Sequence, residues 1–276
     1  MQGVNIKTTI MKHTLKTICL AILLALPFAA QAQGEILPPT KITDNDIQGR
    51  FRAGLEIPLD RFGKWDFSWD EQLRLHNNFS NLDKIVSSVG FSYKPIDYLR
   101  IGASYSLVNQ LDEDDEKWSM RHRVNLDVTG MYRVGRVKLS LRERVRVQFR
   151  GDSINKYEHA NPFFSLRSRF KVAYDVFQSR WEPYAFAELY TTLNAPAPVE
   201  NYKDYPLDSD NYISRLRFAV GAEYKINMTN RIDIYYMLHL NQSYDARYKA
   251  NAGDIKEWRH TRGCAHVFCL DYKFKW

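Results

Sequence analysis

The chain has 276 residues, of which 45% are hydrophobic, 14% aromatic and 26% charged. Its apolar runs are all shorter than the ~18 residues that a spanning helix needs, which excludes a helical membrane protein. The formal charge of +7 falls to +4 once a leader carrying Lys7, Lys12 and Lys16 is removed, and so small an excess does not indicate a nucleic-acid-binding protein.

The N-terminus has the three parts of a secretory signal peptide. A basic stretch begins at Met11, residues 19–26 are apolar, and Ala30-Gln31-Ala32 provides the small residues of a cleavage site. We therefore predict a signal peptide over residues 1–32, with Met11 as the initiator. The mature chain would then begin outside the cytoplasm, at Gln33.

Residues 33–47 are polar, and we predict either a periplasmic lead-in or a weak first strand. From residue 48 to 276, apolar and polar residues alternate with period two in one segment after another, which is the pattern of β-strands with two different faces. We predict eleven strands in this region, of which 181–191 has ambiguous faces: 51–57, 65–76, 85–93, 99–107, 121–132, 137–150, 164–174, 181–191, 212–224, 232–241 and 266–276.

The last segment is the most regular. Every second residue is apolar or aromatic, and the chain stops on an aromatic residue; the positions are Phe268, Leu270, Tyr272, Phe274 and Trp276. This ending resembles the C-terminal signal by which outer-membrane barrels are recognised for assembly. We expect the assembly machinery to be a partner.

Three features favour a membrane barrel over a soluble periplasmic β-protein. The connections alternate between short turns and longer polar loops, as in outer-membrane barrels. The face opposite the apolar one is too charged for a dry core. Aromatic residues gather at strand ends, in two sets of the kind that mark the two membrane interfaces. The sets are Trp65, Tyr93, Tyr132, Tyr174, Trp181, Tyr224 and Trp276 beside short turns, and Phe149, Phe164, Tyr190, Tyr212 and Trp258 beside long loops.

The predicted fold is all-β: a transmembrane, antiparallel, up-and-down β-barrel over residues 48–276. Closed bacterial barrels have an even number of strands. The eleven segments therefore lead us to predict twelve strands, with ten as the alternative. The predicted location is the outer membrane of a Gram-negative-type bacterium, with outer-membrane lipid as a partner.

Several short motifs resemble one known family. Ser68-x-x-Glu71-x-x-Arg74 lies in the second segment, Pro95-x-Asp97 forms a short turn, and the chain opens and closes on alternating basic and aromatic residues. In these features residues 48–276 resemble the domain-of-unknown-function 2490 family. The resemblance implies an exported outer-membrane barrel without an established activity, and it supplies no catalytic residues.

The polar face carries an unusual number of arginines, which we call the basic ladder. Arginine forks pair well with carboxylate, phosphate or sulfate. The ladder therefore indicates a pore or pocket for anionic solutes. The alternative is a lumen filled by salt bridges to Asp66, Asp70, Asp127 and Asp233. The ladder comprises Arg121, Arg123, Arg142, Arg144, Arg146, Arg167, Arg169, Arg215 and Arg217.

Two glutamates break the apolar face. Residues 64–75 and 136–147 match position by position, and Glu71 and Glu143 occupy the same place in this repeat. A carboxylate facing lipid is costly. Either a local bulge turns each one inward, or a lipid-facing carboxyl group serves a function.

We predict neither a metal site nor a cofactor, and assign no catalytic residue. The predicted function is that of a structural barrel or narrow passive pore. The alternative is a hydrolase that acts on lipid or peptide at the outer rim. Candidates for hydrolysis are His239, His76, Asp70 and Ser106, but no motif links them. His260, Cys264 and His266 share a face without standard ligand spacing.

Two further predictions concern cysteines and an acidic loop. Cys264 and Cys269 lie too far apart on one strand to be bridged, so we expect free thiols. Residues 112–116 form an acidic loop, which is either solvated or binds divalent cations.

Overall fold

The computed structural model describes residues 40–42, 46–112, 117–151 and 155–276. The predicted signal peptide (1–32), most of the predicted lead-in and the centre of the acidic loop (113–116) lie outside this range. Within it the protein is all-β, and it contains no helix with the length and apolar character needed to cross a bilayer.

Twelve strands form a single sheet. They are β1 (Thr40–Ile42), β2 (Asp46–Pro58), β3 (Trp65–His76), β4 (Asn81–Ile96), β5 (Leu99–Asp112), β6 (Lys117–Val134), β7 (Val137–Arg150), β8 (Phe163–Tyr174), β9 (Trp181–Pro196), β10 (Ser209–Lys225), β11 (Asn230–Tyr248) and β12 (Ile255–Lys275). Strands β2 to β12 pair with their neighbours in chain order, and β12 pairs with β2, so these eleven strands close a barrel.

The predicted strand number is therefore wrong: the closed barrel has eleven strands, rather than twelve or ten. Successive neighbours from β2 to β12 are antiparallel. With an odd number of strands running alternately up and down, the first and last point the same way, so β12 and β2 pair in parallel. The expectation of a fully antiparallel barrel is corrected to one with mixed pairing.

Strand β1 lies within the segment predicted as a lead-in or weak first strand. It is parallel to β12, with Thr40 opposite His260 and Ile42 opposite Arg262. Asp46, at the start of β2, is opposite Ala265 on the same strand. The two strands thus follow one another along one edge of β12, and β1 adds no strand to the closed ring.

The two ends of the barrel differ. At one end, which we call the short-turn end, lie the connections 59–64, 97–98, 135–136, 175–180 and 226–229 and the C-terminus. At the other, the loop end, lie the start of β2 and the longer connections 151–162 and 197–208. Two loops meet there through stacked rings of Tyr157 and Tyr202, 5.2 Å apart.

Asp60 organises the first short turn. Its carboxylate accepts hydrogen bonds from the backbone N–H groups of Trp65 (2.7 Å), Lys64 (2.8 Å) and Phe62 (3.2 Å). The bond from Trp65, followed by those from the other two donors, lowers the pKa of Asp60 below its ordinary value of 3.8.

This lowered pKa predicts a contribution to stability in acid. A carboxyl group with a lowered pKa in the folded state stabilises the fold above its ordinary pKa, and the contribution disappears as the pH falls through the folded pKa. We expect the wild type to lose stability below about pH 4 more steeply than Asp60→Asn, which keeps an acceptor but cannot ionise. Urea unfolding from pH 5 to pH 2 measures this, and identical pH profiles would contradict it.

The apolar faces of the strands point out of the barrel. Large exposed side chains follow the predicted period along β6, where Leu126, Val128 and Tyr132 are all exposed. At the short-turn end Trp65 stacks on Tyr93 with centroids 4.4 Å apart, and Trp181 lies 4.7 Å from Tyr224. The exterior is thus an apolar surface with aromatic pairs near that end.

Candidate functional site in the barrel lumen

The barrel encloses a cavity of about 1050 Å³. Its walls include Glu56 and Lys275 near the short-turn end, and Gln110, Arg150 and Ser243 near the loop end. The cavity therefore follows the length of the barrel.

All nine residues of the basic ladder line this cavity. They come from β6, β7, β8 and β10. Within each of these strands the ladder arginines are two residues apart, so they share the inward face. The neighbouring strands β5 and β4 contribute small residues to the cavity wall, including Ser88, Gly90, Ser104 and Ser106. The wall of the cavity thus combines long arginine side chains on some strands with small side chains on β4 and β5.

The lumen is strongly cationic. Of the described residues that line the cavity, nineteen are lysine or arginine and seven are aspartate or glutamate. The seven carboxylates all lie in the half of their strand nearer the short-turn end; they are Glu56, Asp66, Asp70, Asp127, Glu223, Asp233 and Asp271. The loop half of the cavity wall therefore carries positive charge without lining carboxylates.

Glu188 of β9 is the centre of a buried ion-pair network. Its side chain is fully buried and contacts Arg167 and Arg169 of β8 and, at 3.6 Å, Arg217 of β10. Three of the nine ladder arginines thus converge on one carboxylate. Buried charges are tolerated where they are paired in this way.

The four aspartates predicted as partners of the ladder are mostly paired elsewhere. Only Asp127 binds a ladder residue, accepting two hydrogen bonds from Arg144 at 2.5 and 2.9 Å. Asp70 pairs with Arg52 at 2.7 Å, and Asp233 with Lys273 at 3.3 Å. Asp66 lies 3.8 Å from Arg100. The salt bridges thus involve part of the ladder, and among the described residues no carboxylate pairs with Arg123, Arg142, Arg146 or Arg215.

We give the name arginine cluster to Arg74, Arg123, Arg146 and Arg215, four inward arginines of the loop half for which no carboxylate partner is found among the described residues. Arg74 is held by Gln72, Arg123 by Gln148 and Arg146 by Asn125, all through neutral amide oxygens. The Nε atom of Arg215 is buried without an acceptor. Unit charges about 10 Å apart repel by ~1.7 kcal/mol at an effective dielectric constant of about 20, so such a cluster attracts anions.

Aromatic side chains fill the part of the lumen beside β9 and β11. Tyr184, Phe186 and Tyr235 are buried together with Met237. Cations lie over these rings, with Lys171 3.7 Å from the centroid of Tyr184. The aromatic group narrows the cavity and holds neighbouring cations in place.

Tyr190 was predicted at the outer aromatic girdle, and that position is wrong. The side chain is buried in the lumen, and its hydroxyl accepts a hydrogen bond of 2.7 Å from Arg217. The guanidinium groups of Arg146, Arg167, Arg215 and Arg217 lie 4.8 to 5.9 Å from its ring centroid.

Neither Glu188 nor Tyr190 was predicted to face the lumen, because both faces of β9 are partly apolar or aromatic. The outer face is composed largely of small residues, such as Ala185 and Ala187, and so gave no amphipathic contrast. The available signal was the spacing of Glu182 and Glu188, which places both carboxylates on one face of the strand.

Glu71 and Glu143 keep the outward register, so the predicted alternative of an inward-turning bulge is wrong. The pairing runs without a shift through both positions. Each carboxylate accepts a hydrogen bond from a serine directly across on the next strand, Ser87 at 2.7 Å and Ser168 at 2.6 Å. The internal repeat thus extends to the partners of the two glutamates.

The candidates for hydrolysis do not form a triad. The Ser106 hydroxyl is hydrogen-bonded to Ser88 at 2.8 Å, and Asp70 pairs with Arg52. His239 lies in the lumen next to Arg217, opposite it on β11. Because Ser106 and Asp70 have these other partners, His239 does not connect a nucleophile to an acid as a catalytic triad for acyl transfer requires.

The described residues contain no group of three His, Cys, Asp or Glu side chains that could hold a metal ion. The ring of His266 instead lies 2.6 Å from the hydroxyl of Tyr236. Cys264 and Cys269 are free thiols, as predicted.

A family model matches residues 46–249, which is most of the barrel. The chain belongs to the family described as protein of unknown function DUF2490. The resemblance found in the motifs is thereby confirmed. A search of curated proteins gave no match. Any proposed function must therefore account for a barrel of this family whose lumen is cationic.

Proposed function

We propose that this DUF2490 protein is an outer-membrane barrel whose lumen is a narrow passive pore for small anionic solutes. The observation that carries the proposal is the charge of the lumen, where nineteen basic side chains face seven acidic ones along a cavity of about 1050 Å³. Fields inside a low-dielectric wall are focused along the opening, so an excess of fixed positive charge favours anions.

The size of the cavity limits the solute. Spread over an apolar band about 25 Å tall, as in known barrels, a volume of about 1050 Å³ gives a mean width of ~7 Å. Ions and small metabolites pass such an opening, whereas folded chains and large oligosaccharides do not.

The exterior supports the location in a membrane. Exposed Leu126, Val128, Phe218 and Val220 lie on an outer face that would be unfavourable in water, and aromatic pairs lie near the short-turn end. With short turns in the periplasm, as in outer-membrane barrels, β1 would start at the outer end. That differs from the periplasmic position expected for the lead-in.

Reversal potentials in a planar bilayer test the pore. Across a KCl gradient we expect discrete conductance steps whose reversal potential has the sign for chloride permeation. The double variant Arg123→Gln/Arg142→Gln should lower the anion-to-cation permeability ratio, because neither arginine has a carboxylate partner to release.

Arg133→Gln is the matched control, since Arg133 pairs with Asp175 at the exposed short-turn rim and does not line the cavity. It should leave the selectivity unchanged. A barrel that is folded in the bilayer but silent, or one that selects cations, would overturn the proposal.

A further inference from the structure

The arginine cluster lies in the half of the lumen whose described lining residues include no carboxylate. Arg74, Arg123, Arg146 and Arg215 belong to four different strands, and each lies in the half of its strand nearer the loop end. Three of them donate to the neutral amides of Gln72, Gln148 and Asn125. These hydrogen bonds hold the guanidinium groups in place without neutralising their charge.

Tyr190 of β9 lies beside the arginine cluster. Its ring lies 5.9 Å from the guanidinium carbon of Arg146 and 5.3 Å from that of Arg215. Because its hydroxyl accepts a hydrogen bond from Arg217, the hydroxyl proton remains available to a further acceptor. Tyr190 also lines the cavity, so that acceptor can be a solute.

Two buried donors have no acceptor at this place. The Nε atoms of Arg215 and Arg217 are inaccessible to solvent and are without hydrogen-bond partners, and the Arg217 side chain is only 5% exposed. Buried donors are ordinarily satisfied. Since these Nε atoms are closed to the lumen, it is the uncompensated charge of the arginine cluster lining the cavity that points to an anionic ligand with several acceptor oxygens.

We propose that the arginine cluster and Tyr190 form a binding site for a tetrahedral oxyanion with two negative charges, a phosphate group being the ligand. Guanidinium forks bind two oxygens of such a group at once, whereas chloride offers no matching pair. The inference rests on the proposed anion pore and specifies the solute that the pore prefers.

The position of the cluster favours a soluble phosphate over a lipid headgroup. All four arginines and Tyr190 line the lumen, and the closed strand pairing separates them from the outer face. A headgroup that remains attached to its acyl chains would have to cross this wall.

Calorimetric titration of the folded barrel in a zwitterionic detergent tests the site. Inorganic phosphate is added at pH 8, with chloride at matched ionic strength as the reference. We expect saturable binding of phosphate with one site per barrel and none of chloride. Arg146→Gln and Arg215→Gln should each weaken binding by about 10- to 100-fold, the effect of losing one charge-assisted hydrogen bond.

Arg231→Gln is the matched control. Arg231 lines the same cavity near the short-turn end, and its partner Glu223 keeps a second cation, Lys273, at 3.3 Å. This variant should bind phosphate like the wild type. Circular dichroism and retained compact mobility on a gel show whether each variant is folded.

Three results would overturn the inference. Phosphate binding that is absent from the folded wild type, or that is unaffected in both cluster variants, excludes the site. Stabilisation by vesicles containing phosphatidic acid without any response to inorganic phosphate places the ligand outside the lumen. Anion-selective conductance without phosphate binding removes this inference and leaves the pore, whereas a silent bilayer removes the pore itself.

Discussion

Replacing Glu188 with glutamine is expected to destabilise the barrel by about 3–5 kcal/mol, the usual cost of removing one partner from a buried ion pair. Glu188 is fully buried and contacts Arg167, Arg169 and Arg217. The substitution keeps the shape of the side chain but leaves three cations to repel one another in a lumen that is already cationic.

Urea unfolding of the barrel in lipid vesicles, followed by tryptophan fluorescence, measures this loss. Glu182→Gln is the control on the same strand, since Glu182 pairs with Lys138 (2.6 Å) and Lys225 (3.3 Å) at the short-turn end. There water screens the remaining charges, and we expect a loss below about 1 kcal/mol. Equal losses for the two variants would show that Glu188 is not the centre of the network.

The second large effect is expected on the outer face. Leu126 is 58% exposed and lies in the middle of β6. In the proposed membrane location this side chain faces hydrocarbon at mid-depth, so Leu126→Arg should cost about 2–4 kcal/mol of folding free energy in a bilayer, as arginine does at the midplane of known barrels.

Val134→Arg provides the comparison, because Val134 is the last residue of the same strand and is equally exposed, at 56%. Near the interface the cost falls to about 0–1 kcal/mol. Folding titrations of both variants into vesicles give the difference directly. If arginine costs the same folding free energy at both positions, the outer face of the barrel does not contact a hydrocarbon layer.

The sequence predicted the strands better than their number. All eleven predicted segments are strands of the closed barrel. Ten of them have one apolar face and one wet face over enough residues to be recognised, and only 181–191 has ambiguous faces. The twelfth strand was added to satisfy an even count and had no comparable pattern of its own. Strand direction at closure depends on that count, so the parallel pairing of β2 with β12 could not be anticipated.

The site could be predicted only in part for a related reason. Alternation places arginines such as Arg144 and Arg167 on the inward face, and all nine line the cavity. Which carboxylate each one meets depends on contacts across strands, and sequence spacing does not encode these. Glu188 lay on a strand with two partly apolar faces, so its inward position became visible only in the structure.

The proposed location and function both require an outer surface that contacts lipid while the charged surface is enclosed. The most direct measurement is the distribution of the natively expressed protein between carbonate-washed outer membranes and the aqueous fraction of a lysate. We predict that the protein stays in the membranes and that its gel mobility changes on heating, as for a folded barrel. Recovery of the folded chain from the aqueous fraction without detergent would contradict the account.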